Sequence, residues 1–179
     1  MRNSHAALPD GFALLERGVG HPDAALLLHS FYQEQVGRYG FAEPATLDPA
    51  AFAAPNGTFL VAYRQGGPVG CGGCRWYERE TGTVEIKKTF LLPEARGLGV
   101  GRALLERLED QAARWGARRA VLETGVRNTA ALAFFVENGY QSIDAYVPGR
   151  DPAINRAFMK WLSPVSEPAA EQVAFRWPA

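Results

Sequence analysis

The sequence predicts one domain that mixes β-strands and α-helices, and two patterns carry this prediction. The first is a set of three extended runs, 58–64, 68–77 and 83–92, joined by short turns that contain glycine. Such runs are typical of an antiparallel meander. The second is a change of period after Pro93, where apolar residues recur at helical spacing until Gly116 signals the helix end. The centre of the chain is therefore predicted to be a sheet followed by a long helix.

The flanking segments are predicted from the same periodicities and from residues that start or stop helices. In chain order they are an edge strand at 12–15, a helix at about 22–36, a short helix at 49–53, a buried strand at 120–123, a helix that Asn128 caps and Gly139 ends, and strands at 140–147 and 156–162. The residues from Pro164 onward include three prolines and are expected to be loosely packed. We predict one domain over 1–163 and a C-terminal extension over 164–179.

Length and charge limit the class of protein. A chain of 179 residues can bury the core of one full domain. Its 19 basic and 19 acidic residues balance, which argues against a nucleic-acid partner or a membrane surface. No apolar run approaches the roughly 20 residues that cross a bilayer, and the N-terminus lacks a signal-peptide pattern. A cytoplasmic protein with small-molecule partners is expected.

The two cysteines, Cys71 and Cys74, form a CGGC sequence that invites a zinc or redox interpretation. Zinc requires two more ligands, and the three histidines lie far upstream without paired spacing. The motif also lies within a predicted strand, whereas a reactive thiolate is stabilised at a helix start. We expect two buried small residues and no metal site.

The most informative segment is glycine-rich and connects a strand to the long helix. After Pro93 the chain reads Glu-Ala-Arg-Gly-Leu-Gly-Val-Gly, and the helix begins at once. Unpaired backbone N–H groups at a helix start bind phosphate, and glycines let a ligand approach the backbone. The third glycine of a dinucleotide fingerprint is replaced by Arg102, and the Gly-Lys-Ser/Thr of a nucleoside-triphosphatase loop is missing. A diphosphate site is predicted, with a plain connecting turn as the alternative.

Arg96, Gly99 and Gly101 match the pattern Arg/Gln-x-x-Gly-x-Gly/Ala, and the segment resembles the coenzyme A loop of the GCN5-related N-acetyltransferase superfamily. Further segments resemble landmarks of that family in the same order, and these are 70–75, 84–88, 93–97, 122–125 and Asn128 with 139–140. The resemblance covers roughly 58–162. It implies a mixed, mostly antiparallel sheet of about seven strands, with helices on both faces and a splay between the fourth and fifth strands.

The resemblance also implies acetyl-coenzyme A as the acyl donor, with pantetheine lying in the splay. By this likeness the backbone near Phe90 and Leu91 faces the acetyl carbonyl, where one backbone donor typically contributes roughly 10²–10³-fold in rate. The residues implied in cofactor binding are Phe90, Leu91, Leu92, Arg96, Gly97, Leu98, Gly99, Val100, Gly101, Arg102, Asn128, Phe134 and Phe135.

Acetyl transfer to an amine requires a base, because an alkylammonium with a pKa of roughly 10 is mostly protonated at neutral pH. Glu85 is the first candidate, since it stands five residues before Phe90 at a position that resembles the general-base glutamate of histone-type members. The alternative for Glu85 is a solvated ion pair with Lys87. Glu123, at the end of the facing strand, is the second candidate, either as base or as the group that holds a cationic substrate.

The proton donor to the departing thiolate is less evident. Many family members have a tyrosine four residues before the Gly-aromatic pair, and this chain has Phe135 there. Because thiols titrate near roughly 8.5, a coenzyme A thiolate is a tolerable leaving group and a dedicated acid is dispensable. Tyr140 and Tyr146 are the alternative donors, each weighed against a packing role at the sheet edge. No covalent nucleophile stands out, so direct attack in a ternary complex is expected.

Arg75 and Arg150 are candidates to bind a substrate carboxylate through two hydrogen bonds, which would favour an amino acid or similar acceptor. We therefore expect an N-acetyltransferase that acts on the primary amine of a small molecule. A protein or peptide N-acetyltransferase, which needs an open groove, stays an alternative, as does a non-catalytic coenzyme A-binding regulatory module. The strands near Phe158 and Trp161 are expected to be apolar and exposed, and they leave a homodimer open.

Overall fold

The computed structural model describes residues 8–164, and this part of the chain forms one sheet with helices against it. The strands are β1 Phe12–Glu16, β2 Gly57–Arg64, β3 Gly67–Glu78, β4 Thr83–Leu91, β5 Arg119–Gly125, β6 Gln141–Ile143 and β7 Asn155–Trp161. The α-helices are α1 Pro22–Tyr39, α2 Val100–Arg114 and α3 Thr129–Glu137, and short 3₁₀ turns cover Pro49–Phe52 and Pro93–Ala95. Nearly all of the expected extension lies outside the described residues.

The seven strands are ordered β1-β2-β3-β4-β5-β7-β6, and β4–β5 is the parallel pair among otherwise antiparallel neighbours. Pairing between β4 and β5 runs from Thr83 opposite Arg119 to Glu85 opposite Val121. Beyond this point β4 continues to Leu91 and β5 to Gly125, without further pairing between them in the described chain. The two strands therefore enclose a wedge, which confirms the predicted splay.

Apolar side chains cover the sheet on both faces. On one face, Leu104 and Leu108 of α2 and Phe135 of α3 pack against the sheet. On the other face, Leu27 of α1 joins a cluster around the fully buried Phe59. The sheet is thus the middle layer of three, as expected.

A β-bulge distorts β4 beside the wedge. Gly73 is opposite Lys87 and Cys71 is opposite Phe90, so the β4 strand has one more residue than β3 between these pairs. Lys88 lies in the bulge with a φ of 56°, a left-handed value that is uncommon for residues other than glycine. Bulges of this kind change the direction of side chains, and this one is at the start of the wedge.

Three predictions for single segments are resolved by the structure. The strand predicted for 140–147 was too long, because β6 stops at Ile143 and the chain then turns back so that Tyr146 reaches Glu85. Phe158 is buried in the core rather than exposed, and Trp161, with 64 % of its surface exposed, is the exposed aromatic of this strand. Both cysteines are fully buried, as expected, and burial raises the pKa of the Cys71 thiol to about 12. Among the described helices, none is long and apolar enough to span a bilayer.

Candidate active site

A cleft of about 820 Å³ opens at the wedge between β4 and β5. Its walls come from these two strands, from α1 and α3, from the first turn of α2, and from the irregular segments around Glu43 and Arg150. The glycine-rich segment lies at one end of the cleft. Ionised side chains gather at the other end.

At the glycine-rich end, α2 begins at Val100 without a side-chain cap, because its N-cap residue is Gly99. Gly97 and Gly99 have φ values of 73° and 83°, which other residues rarely adopt. A Cβ on Gly101 would lie 3.3 Å from Leu91 Cδ1 and 3.6 Å from the Phe134 ring. The glycines therefore keep a narrow path open to an uncapped helix N-terminus, which suits a pyrophosphate.

Most of the residues implied in cofactor binding line this cleft. They are Phe90, Leu91, Arg96, Gly97, Gly99, Gly101, Arg102, Asn128, Phe134 and Phe135. The other three do not contribute side chains to it. Leu92 packs against the α1 face and its N–H donates to the Val69 carbonyl, Leu98 is exposed, and the Val100 side chain is fully buried.

The polar side chains near the loop have intramolecular partners. Arg96 donates from Nε to the Leu91 carbonyl at 3.0 Å and also pairs with Glu34 of α1. Asn128 accepts from the Ala131 N–H, which is the predicted N-cap contact. Arg96 therefore holds the glycine-rich segment against α1, and Asn128 fixes the start of α3.

Glu85 is buried rather than solvated, with 1 % of its surface exposed. Arg75 donates to Oε2 at 2.7 Å, while Lys87 and Tyr146 donate to Oε1 at 3.2 and 2.9 Å. The expected pairing with Lys87 is thus present, but Arg75 is an additional partner. Arg75 does not line the cleft, so its guanidinium is committed to Glu85 and is not positioned for a substrate carboxylate.

Glu123 differs from Glu85 in its hydrogen bonding. Oε2 accepts from Arg150 Nε at 2.8 Å, whereas Oε1 is buried and has no hydrogen-bond partner among the described residues. Burial raises the pKa of the Glu123 carboxyl, and the nearby Arg150 opposes this shift only in part. Glu123 lines the cleft, so the free oxygen belongs to a carboxylate of the site.

Arg150 connects three segments at this end. It donates to Glu123 of β5 and to Glu43, which lies in the connection between α1 and β2. Burial would raise the pKa of Glu43, but the hydrogen bond from Arg150 and the nearby lysines lower it overall. The two ion pairs tie the irregular segments around Glu43 and Arg150 to β5.

Tyr140 and Tyr146, the candidate proton donors to the departing thiolate, are in different environments. Tyr140 is 2 % exposed, packs against Phe135 in the core and does not line the cleft, so it is not a catalytic candidate. Tyr146 packs edge-on against Tyr77 and donates its hydroxyl to Glu85. Burial and the adjacent carboxylate raise the pKa of Tyr146, so its hydroxyl stays protonated.

Sequence reasoning missed Lys88, Glu43 and Phe31, which all line the cleft. Glu43 pairs with Arg150 across 107 positions of sequence, and no local pattern signals such a contact. The bulge at Lys88 likewise could not be predicted, because it does not change the alternation of apolar and polar residues along β4.

A wedge beside a parallel strand pair, with a glycine-rich helix start at its end, defines a site for an acyl-coenzyme A donor. Residues 27–140 match the model of the Acetyltransferase (GNAT) family, and the chain belongs to this family. It is therefore an acyl-coenzyme A-dependent acetyltransferase.

Relatives agree with this assignment, and a solved structure shares the fold. The chain is 40 % identical over 125 residues to the IAA acetyltransferase of Azospirillum brasilense, a match that covers 66 % of this chain and 81 % of that protein. It is 33 % identical over 88 residues to an uncharacterized N-acetyltransferase of Methanocaldococcus jannaschii, covering 46 % and 38 % of the two chains. The crystal structure of a GNAT-family acetyltransferase from Staphylococcus aureus shares the fold, with a TM-score of 0.68, 18 % identity, and coverage of 85 % and 99 %.

Proposed function

We propose that this protein transfers the acetyl group of acetyl-coenzyme A to the primary amine of a small molecule, an amino acid or similar compound, by direct attack in a ternary complex. The observation that carries the small acceptor is that ion pairs link the segments around the ionised end of the cleft. Arg150 bridges Glu43 and Glu123 there, and a long peptide would need an open groove. The name of the Azospirillum brasilense relative also supports a small acceptor.

The residues present fit acetyl-coenzyme A. The amides from Gly97 to Arg102 would hold the pyrophosphate at the start of α2, and the unpaired edges of β4 and β5 would border the pantetheine. Bound acetyl-coenzyme A supplies the thioester from which the acetyl group leaves. The Phe134 ring lies beside Gly101 and lines the same part of the cleft.

We assign the base to Glu123 instead of Glu85. Its buried Oε1 has no donor among the described residues, so its lone pairs are available to a proton from the acceptor amine once the amine or a water molecule reaches it. The raised pKa brings this carboxyl closer to neutral pH, where a base removes protons more effectively. The Glu85 oxygens are occupied by three donors, and this carboxylate orients Arg75, Lys87 and Tyr146.

A dedicated acid is not part of the proposal. Tyr146 donates its hydroxyl to Glu85 and does not line the cleft. The thiolate leaves without a fixed donor because it is a weak base near neutral pH.

The test is thiol release from acetyl-coenzyme A across amino acids, polyamines and short peptides, with mass spectrometry of the acetylated product. The proposal predicts acceptor-dependent release with one or more small amines and little with peptides. Release with peptides alone would favour a protein acetyltransferase. Tight acetyl-coenzyme A binding without release for any amine would favour a binding module.

A further inference from the structure

Among the described residues at the ionised end of the cleft, Lys88 is the cation without a hydrogen-bonded carboxylate. Its side chain is 9 % exposed and projects from the β4 bulge into the cleft. Its Nζ has no hydrogen-bond partner among residues 8–164, and the paired carboxylate of Glu43 lies 3.9 Å away. The ring of Phe31 lies 5.6 Å from Nζ. A lysine ammonium carries three donors, and withholding partners from a buried charge is costly.

The other cations at this end already have hydrogen-bonded carboxylates. Arg75 and Lys87 both donate to Glu85, and Arg150 donates to Glu43 and Glu123. Glu43 is therefore shared, and its closer bond is to Arg150. Burial lowers the pKa of Lys88, as expected for an ammonium that has lost water and gained no close partner.

The ion pairs form two separate groups. In one, Arg75 and Lys87 pair with Glu85. In the other, Arg150 pairs with both Glu43 and Glu123, and Lys88 lies 3.9 Å from Glu43. Both carboxylates of the second group accept hydrogen bonds from Arg150, so a carboxylate brought by the acceptor would give Lys88 the close partner that it lacks among the described residues.

The wall next to Lys88 is apolar. Phe31 packs against Phe90 with ring centroids 5.5 Å apart, and Tyr32 and Phe41 also line the cleft. Phe41 is largely exposed. An acceptor that places a carboxylate at Lys88 therefore has an aromatic surface beside it for an apolar body.

We propose that Lys88 is the specificity-determining residue that binds the carboxylate of the acceptor, and that the acceptor is an amino acid with an apolar side chain. This inference rests on the proposed acetyl transfer to a small amine. The role expected of Arg75 and Arg150 is thus assigned to Lys88, whose Nζ has no hydrogen-bond partner in the described part of the chain.

The test separates recognition from chemistry by measuring binding of the acetylated product. Isothermal titration, in the presence of free coenzyme A, compares N-acetyl-L-phenylalanine with N-acetyl-L-phenylalaninamide, which lacks the charge. For the wild type we expect the acid to bind roughly 10- to 100-fold more tightly, the size of one or two hydrogen bonds to a charged group. Lys88→Met should remove the preference, and Lys88→Arg should keep part of it.

Lys87→Met is the matched control, because it removes the neighbouring charge from the same cleft while Lys88 remains. It should keep the preference for the acid whatever it does to catalysis. Coenzyme A affinity, measured on the same samples, should be unchanged in Lys88→Met, which also shows that the variant is folded. A preference for the acid that survives in Lys88→Met, or that is absent from the wild type, would overturn the inference.

Turnover of phenylalanine and phenylalaninamide distinguishes this failure from failure of the proposed function. If both are acetylated at similar kcat/KM, the acetyltransferase proposal stands and the role of Lys88 does not. If neither phenylalanine, phenylalaninamide nor any other small amine causes release of coenzyme A, the proposed function is wrong. The inference about Lys88 is then wrong as well.

Discussion

Glu85 and Glu123 are carboxylates of neighbouring strands whose surroundings give them different roles. Glu85 is enclosed by Arg75, Lys87 and Tyr146, which use both of its oxygens. Among residues 8–164, Glu123 accepts a hydrogen bond from Arg150 through one oxygen and has no partner for the other. We therefore expect loss of Glu85 to affect stability first and loss of Glu123 to affect chemistry first.

Glu85→Gln should lower the melting temperature, because it leaves Arg75 and Lys87 beside a neutral amide. Breaking a fully buried pair costs about 3–5 kcal/mol, but Arg75 is 35 % exposed and water compensates part of the loss, so about 1–3 kcal/mol is expected. At this chain length each kcal/mol shifts the melting temperature by about 2–4 °C. Calorimetry against Glu16→Gln, an exposed control on β1, measures the effect. Equal melting temperatures for the two variants would show that the pairs contribute nothing.

Arg150→Met should move the acidic limb of the pH profile of kcat/KM to higher pH. The base works in its deprotonated form, so activity rises as pH passes the pKa of Glu123. Arg150 lowers that pKa, and its removal therefore raises it further. At a fixed pH on the limb the variant is slower, and the difference narrows as pH rises.

Glu43→Gln is the control for this shift, because it breaks the other ion pair of Arg150 and keeps the guanidinium beside Glu123. Its acidic limb should stay in place or move to lower pH. An unmoved limb in Arg150→Met would mean that Glu123 does not set the profile.

At the scale of elements, the wedge and the first turn of α2 together form the cofactor path. β4 and β5 are paired only as far as Glu85 and Val121, and α2 begins beyond the end of β4. Gly101 lies on the first turn, where a side chain would meet Leu91 and Phe134. A Cβ at Gly101 would crowd these two cleft-lining side chains, whereas the φ of Gly101 does not require glycine.

Gly101→Ala should therefore weaken acetyl-coenzyme A binding by roughly tenfold or more, the loss of about one charge-assisted hydrogen bond, with little loss of stability. Gly37→Ala in α1 is the matched control, since a Cβ there meets nothing within 4 Å. The control should gain about 0.5–1 kcal/mol in stability and bind the cofactor normally. Titration calorimetry and thermal unfolding measure the two effects, and equal affinities for the two variants would contradict a phosphate path over Gly101.

At the scale of the whole molecule, the sequence predicted what local patterns encode. The meander, α2 and the cap at Asn128 follow from periodicity and from helix start signals, and the splay followed from the family resemblance. The arrangement of the ionised end of the cleft could not be predicted, because it depends on contacts between residues that are distant in sequence. Arg75 pairs with Glu85 only because β3 and β4 are in that register, and Glu43 meets Arg150 only in the folded chain.

The central claim is that one cleft binds acetyl-coenzyme A and an amine and that Glu123 takes the proton from the amine. The most direct test measures acceptor-driven thiol release for the wild type, Glu123→Gln and Glu85→Gln, below the melting temperature of all three. We predict that Glu123→Gln lowers kcat by roughly 10²–10⁴-fold with unchanged acetyl-coenzyme A affinity, while Glu85→Gln loses far less. Wild-type turnover in Glu123→Gln, together with an inactive but folded Glu85→Gln, would contradict the account and return the base to Glu85.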